Sequence, residues 1–168
     1  MIDFRQAEEE IKAHKSEVIE KLVNFSFTDV ILFWSPKEDI KKLQTEKWLP
    51  VLEWLDKRFS LTLKKTENLI PPQQNEHNRD SFTEILNQMS LKSLTAFYLA
   101  AVQLKSPLLA LAFVEDKITA AEAFELAYLE ELYQSESWGV DEEAEKSRQS
   151  IKEELLRIED FLHGKSND

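Results

Sequence analysis

The sequence predicts a mainly α fold, a compact multi-helix domain with at most one short extended segment. Three observations lead there. Only two glycines, Gly139 and Gly164, occur in 168 residues, too few for the tight turns that a sheet-rich fold needs. Apolar residues recur three and four apart through most of the chain, the period of an amphipathic helix. Helix-starting signals stand in front of those runs, as side chains able to accept from the first free N–H groups or as prolines in the first turn.

The elements follow in order. Asp3 with Gln6 forms a capping signal, and Phe4, Ala7, Ile11, Val18 and Leu22 keep helical spacing behind it, predicting one helix from about Phe4 to Phe25. Thr28 to Trp34 is too apolar for a surface loop and predicts a short buried helix. Ser35-Pro36-Lys37-Glu38 reads as a helix start, with Ser35 as cap, Pro36 at the first helical position and Glu38 closing the box. The helix behind it carries Ile40, Leu43, Trp48, Leu52 and Leu55, and Pro50 must kink or break it, since proline lacks the N–H and clashes one turn back. Leu61 to Leu63 is a candidate extended piece. Glu67 to Asp80, with two prolines and few apolar residues, predicts a loop, and Ser81-x-x-Glu84 a helix start. Ser90 caps a helix reaching Lys105, and Ser106-Pro107 opens another. Thr119-x-x-Glu122 opens a long acidic helix ending at Gly139, the residue type suited to the left-handed position after a helix. A last helix, roughly Glu142 to His163, turns Ala144, Ile151, Leu155, Ile158 and Leu162 inward and stops at Gly164.

A chain of this length can bury roughly 70 % of its unfolded surface. One domain spanning 1–168 is therefore expected, with no need of a disulfide or metal staple. Cysteine is absent, which removes disulfides, thiolate metal sites and a cysteine nucleophile and fits a reducing compartment. The formal net charge of −11 repels nucleic acid and anionic membrane surfaces and steers the protein toward basic partners. The polar, acidic start is neither a secretory signal nor a transit peptide. The most apolar stretch, Leu91 to Val114, is interrupted by Lys92, Lys105, Ser106 and Pro107, so no membrane insertion is expected.

Enzyme chemistry finds little support. Two isolated glycines cannot build a phosphate loop, and no serine sits in a nucleophile elbow. His14, His77 and His163 are far apart in sequence. Asp160-x-x-His163 has the spacing of half a helical di-iron site, but the other half is missing. No catalytic residue, metal, cofactor or small-molecule substrate is expected.

The acidic run says more. Ile118 to Glu145 holds nine Asp or Glu residues and no Lys or Arg. Most of these suit a solvated helix face, but Glu131 stands on the helical stripe of Phe124, Ala127 and Tyr128, continued by Gln134 and Trp138. Two readings of Glu131 are open. It is a buried acid satisfied by a helix N-terminus or an indole N–H, or it lies in a contact patch where a carboxylate beside Trp and Tyr meets a basic residue of a partner. Trp34, Trp48 and Trp54, in apolar surroundings, are expected in the core.

The segment Leu129-Glu130-Glu131-Leu132-Tyr133-Gln134-Ser135-Glu136-Ser137-Trp138-Gly139 resembles the characteristic motif of the chaperones that assemble the catalytic F1 sector of ATP synthase by binding its alpha subunit. Leu108 to Ala112, Ile118 to Ala123, Thr28 to Ile31, and the spaced Gln44, Trp48, Pro50 and Trp54 resemble that family too. Together they cover most of residues 2–145. Where the family often has Gly-Ser before its apolar helix, this chain has Lys105-Ser106.

The resemblance implies the helical C-terminal domain of the chaperone, without the family's preceding β-containing domain. It implies a non-enzymatic protein that holds the unassembled alpha subunit until a beta subunit replaces it. Its contact residues would be Glu131, Gln134, Trp138 and Asp141, with Gly139 fixing the turn. The implied location is the bacterial cytoplasm, or the mitochondrial matrix for a eukaryotic source. The competing readings are an acidic helical adaptor of an unrelated pathway and a small helical enzyme or metal protein.

Overall fold

The computed structural model describes residues 1–164, so the last four residues of the expected domain lie outside the description. The helices are α1 (Phe4–Ala13), α2 (Lys15–Ser26), α3 (Glu38–Lys47), α4 (Leu49–Phe59), α5 (Glu76–Asn87), α6 (Leu91–Leu104), α7 (Pro107–Val114), α8 (Ala120–Ala127), α9 (Leu129–Trp138) and α10 (Glu142–Leu162), with one 3-10 turn at Val30–Leu32. The mainly α expectation holds.

α7 is apolar on every side, and a helix of that kind belongs in the interior. Pro107 through Phe113 are all buried. Ser106 starts the helix by accepting from the Leu109 N–H at 3.0 Å. α6 packs against it through the short Lys105-Ser106 connection, burying Leu94, Phe97, Ala100, Ala101 and Leu104. Around this hairpin, α1 and α10 cover α6, while α2, α4 and α8 cover α7. Lys105 takes φ 55°, the left-handed conformation that glycine favours. The lysine thus accepts the turn that a glycine would make, and Ser106 stays buried.

Asp29 locks the hairpin to the 3-10 turn. Its fully buried carboxylate accepts from the Ile31 N–H (3.0 Å), from the Leu108 N–H (2.8 Å) and from the Ser106 hydroxyl (2.7 Å). One side chain therefore caps two helical elements, the second through an N–H 79 residues along the chain from Asp29. The short buried helix expected over Thr28 to Trp34 is this 3-10 turn, with Ile31, Leu32 and Trp34 in the core. Trp48 is also buried, and Trp54 is partly buried against the core.

Several boundaries differ from expectation. The first helix is two, because His14 leaves helical geometry (φ −128°, ψ 33°). The bend lets Ile11 on one side and Ile19, Leu22 and Val23 on the other reach the same core. The Ser35–Glu38 box does not form. The Ser35 hydroxyl accepts from the Lys37 N–H at 3.1 Å, its own N–H goes to the buried Gln44 side chain at 2.9 Å, and the helix starts only at Glu38. Pro50 breaks the next helix as expected. It falls in the first turn of α4, where its missing N–H removes nothing, and the join lies at Trp48.

The extended piece is not at Leu61–Leu63 but at a single bridge between Phe33 and Thr66. Leu61 is buried, and Thr62 is held by Asn78 through two hydrogen bonds, of 3.0 and 2.8 Å. That contact explains why the expected loop is shorter. Asn75 caps α5 by accepting from the His77 N–H (2.9 Å), and the helix begins at Glu76 instead of Ser81. Thr119 and Glu122 do form a capping box, but the helix they open ends at Tyr128 (φ −105°, ψ 23°), where α9 takes a new direction.

Candidate functional site

α9 is unlike its neighbours, since none of its ten residues is buried. Leu129 and Leu132 are partly buried against the core, and polar contacts hold the rest. The Tyr133 hydroxyl donates to Asp39 of α3 at 2.6 Å. Arg148 of α10 reaches Glu131 at 3.6 Å and donates to the Ser135 hydroxyl at 3.2 Å. Tyr133 holds the exposed Asp39 carboxyl below its ordinary range, and the same bond raises the Tyr133 phenol. The Tyr128 phenol is raised by burial first and by the Glu131 carboxylate second.

The kink at Tyr128 divides the stripe expected on one continuous helix. Phe124 and Tyr128 point into the core, where the Tyr128 hydroxyl donates to the Gln103 carbonyl at 2.7 Å. Glu131, Gln134 and Trp138 lie on the exposed side of α9. The buried-acid reading of Glu131 is therefore excluded, because its side chain is 53 % accessible and is met by an arginine rather than by an indole or a helix end. Trp138 is 88 % accessible. An indole so exposed is unusual for a residue that normally buries most of its surface.

Beyond Trp138 the chain reverses at Gly139, whose φ of 96° and ψ of 168° suit glycine alone. Nothing lies within 4 Å of the place a Cβ would take, so backbone conformation and not crowding requires glycine here. Val140 follows, exposed, and Asp141 caps α10 by accepting from the Glu143 and Ala144 N–H groups at 3.0 and 3.4 Å. The structure thus brings Glu131, Gln134 and Trp138 onto one face of α9 and sets Gly139 and Asp141 in the turn that ends it.

Sequence reasoning missed Arg148 and Tyr133. Arg148 occupies the inward stripe of α10, four residues after Ala144 and three before Ile151, and a cation at a core-facing position is a signal for a buried partner. It is buried, although the charge it meets is not. Elsewhere, His163 lies 2.8 Å from Asp116. Among the described residues no three His, Cys, Asp or Glu side chains are grouped as metal ligands, and no helix is long and apolar enough to cross a membrane.

The architecture sets the class: an all-α domain wrapped round a buried hairpin, with an acidic, aromatic helix standing off its surface. Comparisons make it specific. The chain is 25 % identical to the mitochondrial protein Atp12 of Schizosaccharomyces pombe over 171 aligned residues, 94 % of this chain. It superposes on the crystal structure of Atp12 from Paracoccus denitrificans with a TM-score of 0.90, 26 % identity, and 95 % of this chain against 69 % of that one. A protein of Agrobacterium tumefaciens gives 0.84 and 27 % identity, covering 93 % of this chain and 59 % of that one. No family model matches. The chain is homologous to Atp12, and it spans 59 % of the length of the fission-yeast relative.

Proposed function

We propose that this chain is a non-enzymatic assembly chaperone of the F1 sector of ATP synthase and that its partner is the unassembled alpha subunit. The observation that carries the reading is the backbone shared with Paracoccus Atp12 over 95 % of the chain. Residues 1–168 act as the helical binding domain. Glu131, Gln134 and Trp138 are the contact face, Gly139 holds the turn, and Asp141 orders the start of α10 beside it. An unassembled subunit exposes apolar surface that aggregates, and a binder selective for that surface suppresses aggregation by mass action. The chaperone yields when a beta subunit covers the same surface. The site of action is the bacterial cytoplasm, or the mitochondrial matrix in a eukaryote.

Pull-down and light-scattering assays with the cognate unassembled alpha subunit test the reading, with beta subunit as control. Selective capture of alpha, suppressed aggregation, and release on adding beta are expected. Equal indifference to both subunits would return the protein to the adaptor reading.

A further inference from the structure

α9 spans an open cleft of about 570 Å³, within the range of roughly 300–1,000 Å³ typical of binding clefts. Its apolar lining comes from Leu43 of α3, Phe124 of α8, and Leu129 and Leu132 of α9. The exposed Val140 stands at its edge, one residue past Gly139 and two past Trp138. Glu125, Glu136 and Glu145 also line it, and among the described residues none of the three is in an ion pair within 4 Å. Of its two cations, Arg148 is already met by Glu131, and Lys152 lies 5.9 Å over the Phe124 ring. An apolar channel edged with unpaired carboxylates selects its occupant by charge as well as by shape.

We infer that this cleft, rather than the exposed face of α9 alone, seats an amphipathic segment of the partner that places aliphatic side chains between α9 and α10 and Lys or Arg side chains on Glu136 and Glu145. The inference rests on the alpha-subunit reading above and adds the chemistry of the segment that is held. Three features fit it. α9 buries none of its own residues, so apolar surface beneath it remains for a partner to cover. The unpaired carboxylates would leave water only against a cation. Val140 at the cleft's edge and the exposed Trp138 two residues before it add apolar surface there, and large exposed side chains serve as anchors.

Affinity of the full chain for the unassembled alpha subunit provides the test, using substitutions at exposed positions. Gln149→Trp fills the cleft from α10, and Glu136→Lys with Glu145→Lys reverses its charge. Val102→Asp, on an exposed site of α6 away from the cleft, is the control. Gln149→Trp and the double reversal should each weaken binding about tenfold or more, with Val102→Asp within about twofold and unchanged melting for all. Wild-type affinity should fall as salt rises. Full-strength binding by both cleft variants, with a loss of about tenfold or more in a Glu131→Lys variant, would overturn the cleft and leave the α9 face. A wild-type chain that binds no alpha subunit would overturn the functional reading and this inference together.

Discussion

Glu131 carries its carboxylate half in water, with a buried arginine behind it. An ion pair so exposed contributes little to stability, about 0–1 kcal/mol. Glu131→Gln should therefore unfold within about 1 kcal/mol of wild type, and on the proposed reading it loses about tenfold or more in affinity for the alpha subunit. Urea unfolding and a binding titration on the same sample measure both. Asp29 is the opposite case. Burial raises its carboxyl from 3.8 to about 7, against the pull of the Leu108, Ile31 and Ser106 donors. The unfolded chain releases this proton near 4 and the folded chain near 7, so between those values the folded state holds the extra proton. This contribution is fully present below about pH 4 and is lost as pH rises through 7. Asp29→Asn has no such titration. The stability of wild type relative to the variant should fall by up to about 4 kcal/mol between pH 4 and 7, measured by urea unfolding at each pH.

At the scale of elements, three breaks shape the molecule: His14 between α1 and α2, Trp48 between α3 and α4, and Tyr128 between α8 and α9. Only the second follows from a residue type that cannot continue a helix. The third swings α9 off the core and creates the cleft beneath it. The position of α9 then depends on its far end, where Gly139 takes a conformation closed to other residues. Gly139→Ala meets no steric contact but should cost about 1–3 kcal/mol of backbone strain, relieved by fraying of α9 and the start of α10. Helicity lost at that turn with the core melting unchanged, seen by NMR chemical shifts, is the expected result. In the same way, Thr119→Ala removes the capping box of α8 and should lower stability by about 1 kcal/mol in urea unfolding.

For the whole molecule, the α6–α7 hairpin is the common surface on which the other layers rest. Phe97 is fully buried at that junction, with its ring 6.0 Å from that of Phe82 of α5. Phe97→Ala should cost about 3–5 kcal/mol and lower the melting temperature by roughly 10 °C, read by calorimetry. Hydrogen exchange should follow the same layering. Amides of α6 and α7 should exchange only on global unfolding, and those of α9, with no buried residue, should exchange through local opening.

The residues by themselves determined the helical class, the caps at Asp3, Ser90, Ser106 and Thr119, and the buried α6–α7 pair, because each depends on side chains within a turn or two of one another. They also placed Glu131, Gln134 and Trp138 on one helical face. Tertiary contact decided the rest. Asn78 drew α5 forward by bonding Thr62, and Gln44 took the Ser35 N–H and left the expected box unformed. His14 and Tyr128 ended helices whose local pattern ran on: the bend at His14 lets α1 and α2 reach one core, and the bend at Tyr128 turns α9 out of it. Whether Glu131 was buried could not be read from a stripe of apolar neighbours. That answer depended on where the helix turned and on an arginine seventeen positions away in sequence, which only the folded chain brings beneath it.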